Sequence, residues 1–216
     1  EHPQVERATK SRSYRLNVRK GDRVYRRQHR HIDENFLDVF DFRFLRGSRE
    51  NAFKTPYSIA LTEEFAELFF GSSDPIGQTL TLDERYYGGD YTVTAVVENP
   101  PPNSSIQFDM LHQTMPRTQE AKYDWEVWRP DVQQAGILTY ILLKSGQDED
   151  ELEAALPDLI ERNMGPEARE TITLHLQPLL REHLYTNADY GIASKGNINQ
   201  VITFGAVAAF ILLIAC

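Results

Sequence analysis

The chain has 216 residues, of which 41% are hydrophobic and 25% are charged, and its net charge at pH 7 is −9. That share of apolar residues excludes an intrinsically disordered chain, and the lack of a short repeat excludes collagen and coiled coil. The single cysteine, Cys216, excludes a scaffold held together by disulfides within the chain.

The charge is distributed unevenly along the chain. The first 30 residues hold ten basic and three acidic residues and carry a net +7, whereas residues 31–216 carry −16. A basic segment could bind nucleic acid, but such surfaces combine cations with stacking aromatic rings, and Tyr25 is the one candidate ring beside these arginines. We therefore expect an arginine-coated sheet face and no nucleic-acid partner.

The first predicted element is a β-hairpin. Leu16 and Val18 alternate with Arg15 and Arg19, which gives one strand an apolar face and a basic face. Gly21-Asp22 then supplies a two-residue turn, in which glycine accepts a positive φ.

Two helices are predicted next. Asp33 is expected to cap a short helix within "DENFLDVFDF". A longer helix follows a short apolar strand at residues 58–61; Thr62 caps this helix and Gly71 ends it. Its inward face is predicted to hold Phe65, Leu68 and Phe69. The segments "QTLTL" and "YTVTAVVEN" are predicted strands.

A strand–helix–strand unit is predicted at residues 139–177. The apolar run "LTYILLK" is typical of a buried strand, and the helix that follows has acidic residues at its start and stops at Gly165-Pro166. Residues 171–177 alternate as a second strand would, so the unit is expected to be βαβ. The buried face of its helix is predicted to hold Leu152, Leu156, Leu159 and Ile160.

The candidate metal ligands are His29, His31 and Asp33, which recur at every second position and would project from one strand face. A zinc site would need a further ligand from elsewhere in the chain. We expect an exposed polar face instead, because the neighbouring arginines repel cations. His112 is expected to stand alone, so the prediction is that the chain holds no metal and no cofactor.

No catalytic residue is predicted. The loop "GSSDPIGQT" has five residues between its glycines, and Gln78 occupies the position at which a Walker A loop has lysine. No other segment matches a catalytic motif, so the chain is not expected to be an enzyme. Trp125 and Trp128 have two possible roles: they form a ligand or partner surface, or their rings pack a loop onto the core.

The last stretch, residues 201–216, has no charged residue. As a helix, sixteen residues would span about 24 Å, against a hydrocarbon core of about 30 Å. We expect residues 199–216 to be the truncated start of a transmembrane helix; the alternative is a buried terminal helix. The residues expected to lie in the membrane are Val201, Ile202, Phe204, Val207, Phe210, Ile211, Leu212, Leu213 and Ile214.

Five blocks occur in order: "SIALTEEFAELFFGSSDPIGQTLTL", "YTVTAVVENPPPNSSIQFDML", "LTYILLK", "LQPLLREHLYTN" and "GNINQVITFGAVAAFILLIAC". Together they resemble the MacB-like periplasmic core domain of FtsX-like ABC transporter permeases, in particular those of the Bacteroidetes type. The resemblance implies an α/β (α+β) fold with two lobes. A βαβ porter-like lobe would comprise residues 1–20 and 135–198, and a β-rich sabre-like lobe residues 21–134.

The resemblance also implies a function and partners. Such a domain would face the periplasm at the bacterial inner membrane, within a homodimeric or heterodimeric permease that couples a cytoplasmic ATPase to substrate export. A periplasmic adaptor or outer-membrane partner and the lipid bilayer are the further partners implied. Two alternatives are a membrane-anchored sensor domain that binds a ligand or partner, and a soluble hydrolase with an unrecognised site.

Overall fold

A sixteen-residue strand and its hairpin partner begin the fold. The computed structural model describes residues 2–83, 88–113, 137–146, 149–182, 196 and 198–215. Strands β1 (Val5–Lys20) and β2 (Arg23–Ile32) pair antiparallel around the predicted turn, where Gly21 has a φ of 56°. Leu16 and Val18 are buried, whereas Arg15, Asn17 and Arg19 are exposed, which confirms the predicted alternation.

The described residues form six further strands. In chain order these are β3 (Phe44–Arg46), β4 (Ser58–Thr62), β5 (Thr79–Asp83), β6 (Gly89–Val97), β7 (Met110–Gln113) and β8 (Ile137–Leu143). The ladders run β1–β2–β7–β4–β6–β5, and β5 pairs back onto β1, so six strands close into a ring. Within the ring β2 is parallel to β7 and β4 is parallel to β6; the other four pairs are antiparallel. The first half of β1 pairs outside the ring with β8, and β3 pairs with β6.

Two helices accompany the ring: α1 (Phe36–Val39) and α2 (Glu63–Phe70). The Thr62 hydroxyl oxygen accepts a hydrogen bond from the Phe65 amide at 3.4 Å, and Gly71 ends α2 with a φ of 60°. The predicted strand, cap and helix stop are therefore confirmed.

Two details of these helices differ from the predictions. Leu68 does not face inward but is 41% exposed, because the inward arc of α2 is already filled by Phe65, Phe69 and their neighbours. The residue before α1 is Asn35 and not Asp33. The Asp33 carboxylate instead accepts hydrogen bonds from the Thr9 hydroxyl and from the Lys10 amide, and so fixes the end of β2 to β1.

Two clusters of buried side chains form the core, one on each face of the ring. The inner cluster draws on β1, β4, β5, β6 and β7 and on one face of α2; it includes Leu16, Val18, Ile59, Leu61, Leu80, Leu82, Tyr91, Val93, Met110, Phe65 and Phe69. The outer cluster lies on the other face of β2, β7, β4 and β6 under α1; it includes Ile32, Ala60, Ala95, Val97, Leu111, Phe36 and Leu37. Alternation along each strand divides the residues between the two clusters.

The chain divides into two compact units, Glu1–Ser145 (the N-terminal unit) and Gly146–Cys216 (the C-terminal unit). The described part of the C-terminal unit contains helices α3 (Glu149–Met164), α4 (Pro166–Thr171) and α5 (Ile198–Ala215), and a 3₁₀ turn at Leu179–Arg181. The fold is therefore a mixed α/β fold, as predicted. The proposed lobe boundaries, 1–20 with 135–198 and 21–134, stay a prediction.

The predicted second strand of the βαβ unit is wrong. Thr171 ends α4, and residues 172–178 pair with no strand in the described part of the chain. Pro166 occupies the first turn of α4, where its fixed φ favours a helix start. Arg169 then forms ion pairs with Asp158 and Glu161 of α3, each at 2.6 Å, which hold the short helix against the long one. These contacts favour a short second helix that runs into the first residue of the predicted strand.

One face of α3 is buried, as amphipathic spacing predicts. Leu152, Leu156 and Ile160 are each at most 6% exposed. Leu159, which was predicted to share this face, is 43% exposed because it lies on the flank of the buried arc.

Helix α5 exposes its apolar side chains. Phe204 is 71% exposed, Phe210 68% and Ile214 79%, so within the described residues α5 is not a buried core helix. Among those residues, no helix is both long enough and apolar enough to cross a membrane.

Candidate functional site: a buried histidine cluster

Three histidines meet on the inner face of the ring. His31 of β2 lies directly opposite His112 in the parallel ladder with β7, and His29 lies two residues before His31 on the same face. All three side chains are 0% exposed. The expectation of an exposed polar face at His29 and His31 is therefore wrong, because β1 and β7 flank β2 and the ring encloses this face.

The expectation that His112 stands alone is also wrong. His112 and His31 are 81 positions apart in the sequence, and only the β2–β7 pairing brings them together. The sequence held one indication that His112 is buried: the apolar residue Met110 lies two positions earlier, on the same face of the strand, and is itself buried. Asp33 lies just beyond the end of β2 and binds β1, as described above, so it is not part of the cluster.

The rings pack edge to face and face to face. The centroid of His31 is 4.1 Å from that of His112 and 4.6 Å from that of His29, and His29 stacks on His112 at 5.3 Å. Tyr14 lies edge-on to His29 at 4.0 Å, and Tyr91 contacts His112 at 5.0 Å. One ring nitrogen of each histidine lies within 4.8 Å of the corresponding nitrogens of the other two.

Hydrogen bonds orient two of the three rings. His29 Nδ1 lies 2.9 Å from the Tyr14 carbonyl oxygen, and His112 Nδ1 lies 3.3 Å from the Gln113 carbonyl oxygen. A carbonyl oxygen only accepts, so each Nδ1 carries the proton and each Nε2 carries a lone pair. Within the described residues neither Nε2 has a hydrogen-bond partner. A buried polar atom left in this state costs about 1–3 kcal/mol.

The third histidine contacts a hydroxyl group. His31 Nε2 lies 3.1 Å from the hydroxyl oxygen of Tyr14, whose ring packs against His29. Tyr14 thus contacts both histidines of β2, one through its ring and carbonyl and one through its hydroxyl.

Burial keeps the cluster uncharged. It lowers the pKa of His112 to about 4 and lowers the pKa of His29 and His31 well below the usual histidine value. His112 and Arg12 lower the pKa of His29 and His31 further, because a proton there would meet like charge. At neutral pH the site is a set of neutral imidazoles, the form in which histidine binds metal ions.

Arg30 occupies the opposite face of β2 and is also 0% exposed. Its guanidinium donates to the Ser11 hydroxyl at 2.9 Å and to the Gln107 carbonyl at 3.2 Å, and it bonds to Tyr140. The predicted solvated arginine face therefore does not include Arg30, whose burial lowers its pKa.

The other sequence-predicted site residues lie elsewhere. Trp125 and Trp128 fall outside the described residues, so their role stays a prediction. The nine residues expected in the membrane, from Val201 to Ile214, lie on α5 and are exposed. A cleft of about 180 Å³ opens beside Gln113 and is lined otherwise by residues 53–58.

Comparison with known proteins gives the class of this domain. The profile of the MacB-like periplasmic core domain matches residues 1–159. The fold is also similar to solved structures, among them the following three. A domain assigned to a permease protein from Porphyromonas gingivalis is 26% identical, with a TM-score of 0.63 over 76% of this chain and 67% of that chain.

The other two likenesses show the fold alone. The periplasmic region of MacB from Actinobacillus actinomycetemcomitans is 14% identical, with a TM-score of 0.50 over 75% of this chain and 69% of that one. The extracellular domain of the noncanonic ABC-type transporter YknZ from Gram-positive bacteria is 13% identical, with a TM-score of 0.52 over 76% and 78%. No curated protein sequence matches this chain.

The molecule is thus an extracytoplasmic permease domain by both sequence profile and fold. The chain belongs to the MacB-like periplasmic core domain family of ABC-type permeases, which confirms the resemblance seen in its five sequence blocks.

Proposed function

We propose that this domain transmits the motion of a dimeric permease, driven by a cytoplasmic ATPase, to the export or extrusion of a substrate. The observation that carries the proposal is the family match over residues 1–159. In this function the domain moves as a body and carries out no chemistry itself.

The closed ring supports a mechanical role. Each of its six strands has a hydrogen-bonded neighbour on both sides, so no strand of the ring can slide without breaking two ladders. Strand β1 is continuous over sixteen residues, which is about 50 Å of extended chain. It joins the β8 ladder to the ring without a break, so a displacement at one end of β1 is passed to the other.

Helix α5 supplies the proposed membrane contact. Its exposed face includes Phe204, Phe210 and Leu213, the last of which is 77% exposed. Each buried Å² of such surface gains about 25 cal/mol, so lipid is a better medium for these side chains than water. We therefore propose that the nine apolar residues of α5 named above lie in the hydrocarbon of the bacterial inner membrane.

The more specific parts of the proposal are based on the resemblance to the family. They are the porter-like and sabre-like lobes, a periplasmic adaptor or outer-membrane partner, and a partner surface at Trp125 and Trp128. Membership of the Bacteroidetes-type permeases is a proposal of the same kind.

An insertion tests the mechanical role. About ten Gly/Ser residues placed between Lys195 and Gly196 of the full permease form a random coil that absorbs displacement. Nitroxide labels at position 72 of both copies, in a permease without other cysteines, report the distance between the two domains. We expect trapped nucleotide to change this distance in the parent permease and to leave it unchanged in the insertion variant, with ATP hydrolysis retained in both.

A matched insertion serves as control. Ser72 and Ser73 lie in an exposed turn after α2, so the same ten residues placed between Ser72 and Ser73 should leave the nucleotide-dependent change intact; for this control the labels are moved to Arg15→Cys, on the exposed face of β1. A distance that responds equally in the 195–196 variant would contradict mechanical transmission. That outcome would favour a sensor domain that binds its ligand without following the ATPase.

A further inference from the structure

The histidine cluster has no part in the proposed mechanical function. Three imidazoles are a costly way to fill the inside of a closed sheet, because each is polar and must satisfy its ring nitrogens. Two of these nitrogens, His29 Nε2 and His112 Nε2, have no hydrogen-bond partner within the described residues.

From this arrangement we propose that His29, His31 and His112 form a transition-metal site that holds a zinc ion and ties β2 to β7. The proposal does not depend on mechanical transmission.

The first support is the choice of ligands and their distances. Neutral imidazole nitrogen suits zinc, copper, iron and nickel and is a poor ligand for magnesium and calcium. Two nitrogens bound to one tetrahedral zinc at about 2.0–2.1 Å are about 3.4 Å apart. One ring nitrogen of each histidine already lies within 4.8 Å of those of the other two, so the three rings must move somewhat closer together when the ion binds.

The second support is the orientation of the rings. Histidines that bind metal donate their second ring N–H to a carbonyl or carboxylate, which fixes the tautomer and aims the lone pair. The Tyr14 carbonyl performs this role for His29 and the Gln113 carbonyl performs it for His112. Both Nε2 lone pairs are thereby available before a metal arrives, and His31, two residues after His29 on the same face of β2, adds a third nitrogen.

The position of the site gives the ion a structural role. β2 and β7 pair over only four residues, in parallel, and a parallel ladder is slightly less stable per residue than an antiparallel one. Their junction helps to close the ring. An ion held by two ligands from β2 and one from β7 would cross-link the two strands across this short parallel ladder, with a water molecule or a small anion in the fourth position.

One nearby charge opposes a cation and gives the proposal a sharp test. The Arg12 guanidinium lies 5.5 Å from the centre of the Tyr14 ring and raises the positive potential at His29 and His31. It therefore favours an anionic fourth ligand such as hydroxide or chloride. Removing this charge with Arg12→Gln should tighten zinc binding at least severalfold, whereas a surface-bound ion would not respond.

The experiment uses the full chain in detergent after removal of metal with a chelator. Zinc chloride is titrated by calorimetry in competition with a chelator of known affinity, and the bound metal is counted by elemental analysis. We expect one zinc per chain and a melting temperature that rises with free zinc. His29→Gln and His112→Gln should each weaken binding by at least about 100-fold.

His175→Gln is the matched control. His175 is exposed and bonded to Glu153 within the C-terminal unit, so its loss should change neither the stoichiometry nor the affinity. If the cluster variants fail to fold, nitrogen NMR of the wild-type histidines provides an independent readout. Zinc should then shift Nε2 of His29 and of His112 and leave the resonances of His175 unchanged.

Three outcomes would overturn the proposal. They are no zinc binding by the stripped wild-type chain at micromolar zinc, binding that His112→Gln leaves unaltered, and zinc-induced NMR shifts at His175 without shifts at His29 and His112.

Discussion

The two compact units differ in how far their apolar side chains are buried. In the N-terminal unit, apolar side chains from both faces of the ring are buried in two clusters, and side chains as large as Tyr91 and Leu61 are 0% exposed. In the described part of the C-terminal unit, burial is confined to one face of α3, and α5 exposes nearly every apolar residue. The N-terminal unit therefore completes its own core, whereas α5 needs another apolar medium, which we propose to be lipid.

The largest expected effect is the loss of a side chain from the inner cluster. Leu61 is 0% exposed, so Leu61→Ala should lower the free energy of unfolding of the N-terminal unit by about 2–5 kcal/mol. Leu68→Ala is the matched control. The Leu68 side chain is 41% exposed on α2, so its removal should lower the free energy of unfolding by under about 1 kcal/mol. Urea unfolding followed by circular dichroism measures both. Equal losses of unfolding free energy in the two variants would mean that the inside of the ring is not the core of the unit.

Acidification of the metal-free chain has the next largest effect. His112 has a pKa of about 4 in the folded state, against 6.5 for an ordinary histidine, so between these pH values the unfolded state binds a proton that the folded state does not. Stability is complete above pH 6.5 and falls as the pH drops towards 4, by about 3 kcal/mol for His112 alone. His29 and His31 shift in the same direction, and Arg12 and Arg30 add like charge at His29.

Urea unfolding at pH 7 and pH 4.5 measures this loss. His112→Gln should make the loss of stability smaller because the amide does not titrate, and His175→Gln should leave it unchanged; His29 and His31 account for the remaining loss. A chain that is equally stable at both pH values would show that the histidines are not buried uncharged.

The smallest effect is expected at the surface of the C-terminal unit. Arg169 bonds to Asp158 and Glu161, but all three side chains are at least 45% exposed. Water and salt screen such pairs, so Arg169→Ala should lower the melting temperature only slightly, and less still in 1 M salt. A fall in melting temperature as large as that caused by Leu61→Ala would mean that α4 depends on these ion pairs more than on the packing of α3.

The structural features that depend on local sequence patterns could be predicted from the sequence. The hairpin turn at Gly21, the Thr62 cap and the strands on either side of α2 follow from turn chemistry, capping and alternation, and the structure confirms them. Residues 171–177 show where alternation misleads, because Thr171 still belongs to the helix that Pro166 and Arg169 favour, and residues 172–178 pair with no strand in the described part of the chain.

The histidine cluster could be predicted only in part. Period-two spacing places His29 and His31 on one face, but whether that face is buried depends on the closure of the ring, and the pairing with His112 depends on a ladder between distant segments. Neither property is local, so the sequence alone favoured an exposed face.

Electron paramagnetic resonance tests most directly whether a self-supporting domain is joined to lipid by α5. A nitroxide at position 210, introduced by Phe210→Cys with Cys216→Ser, is compared in lipid vesicles with one at Arg15→Cys, on the exposed face of β1. Oxygen concentrates in hydrocarbon and a water-soluble nickel chelate is excluded from it. Attachment through α5 predicts that the label at 210 collides with oxygen and not with nickel, and that the label at 15 does the reverse. Nickel access at position 210 equal to that at position 15 would contradict the membrane assignment.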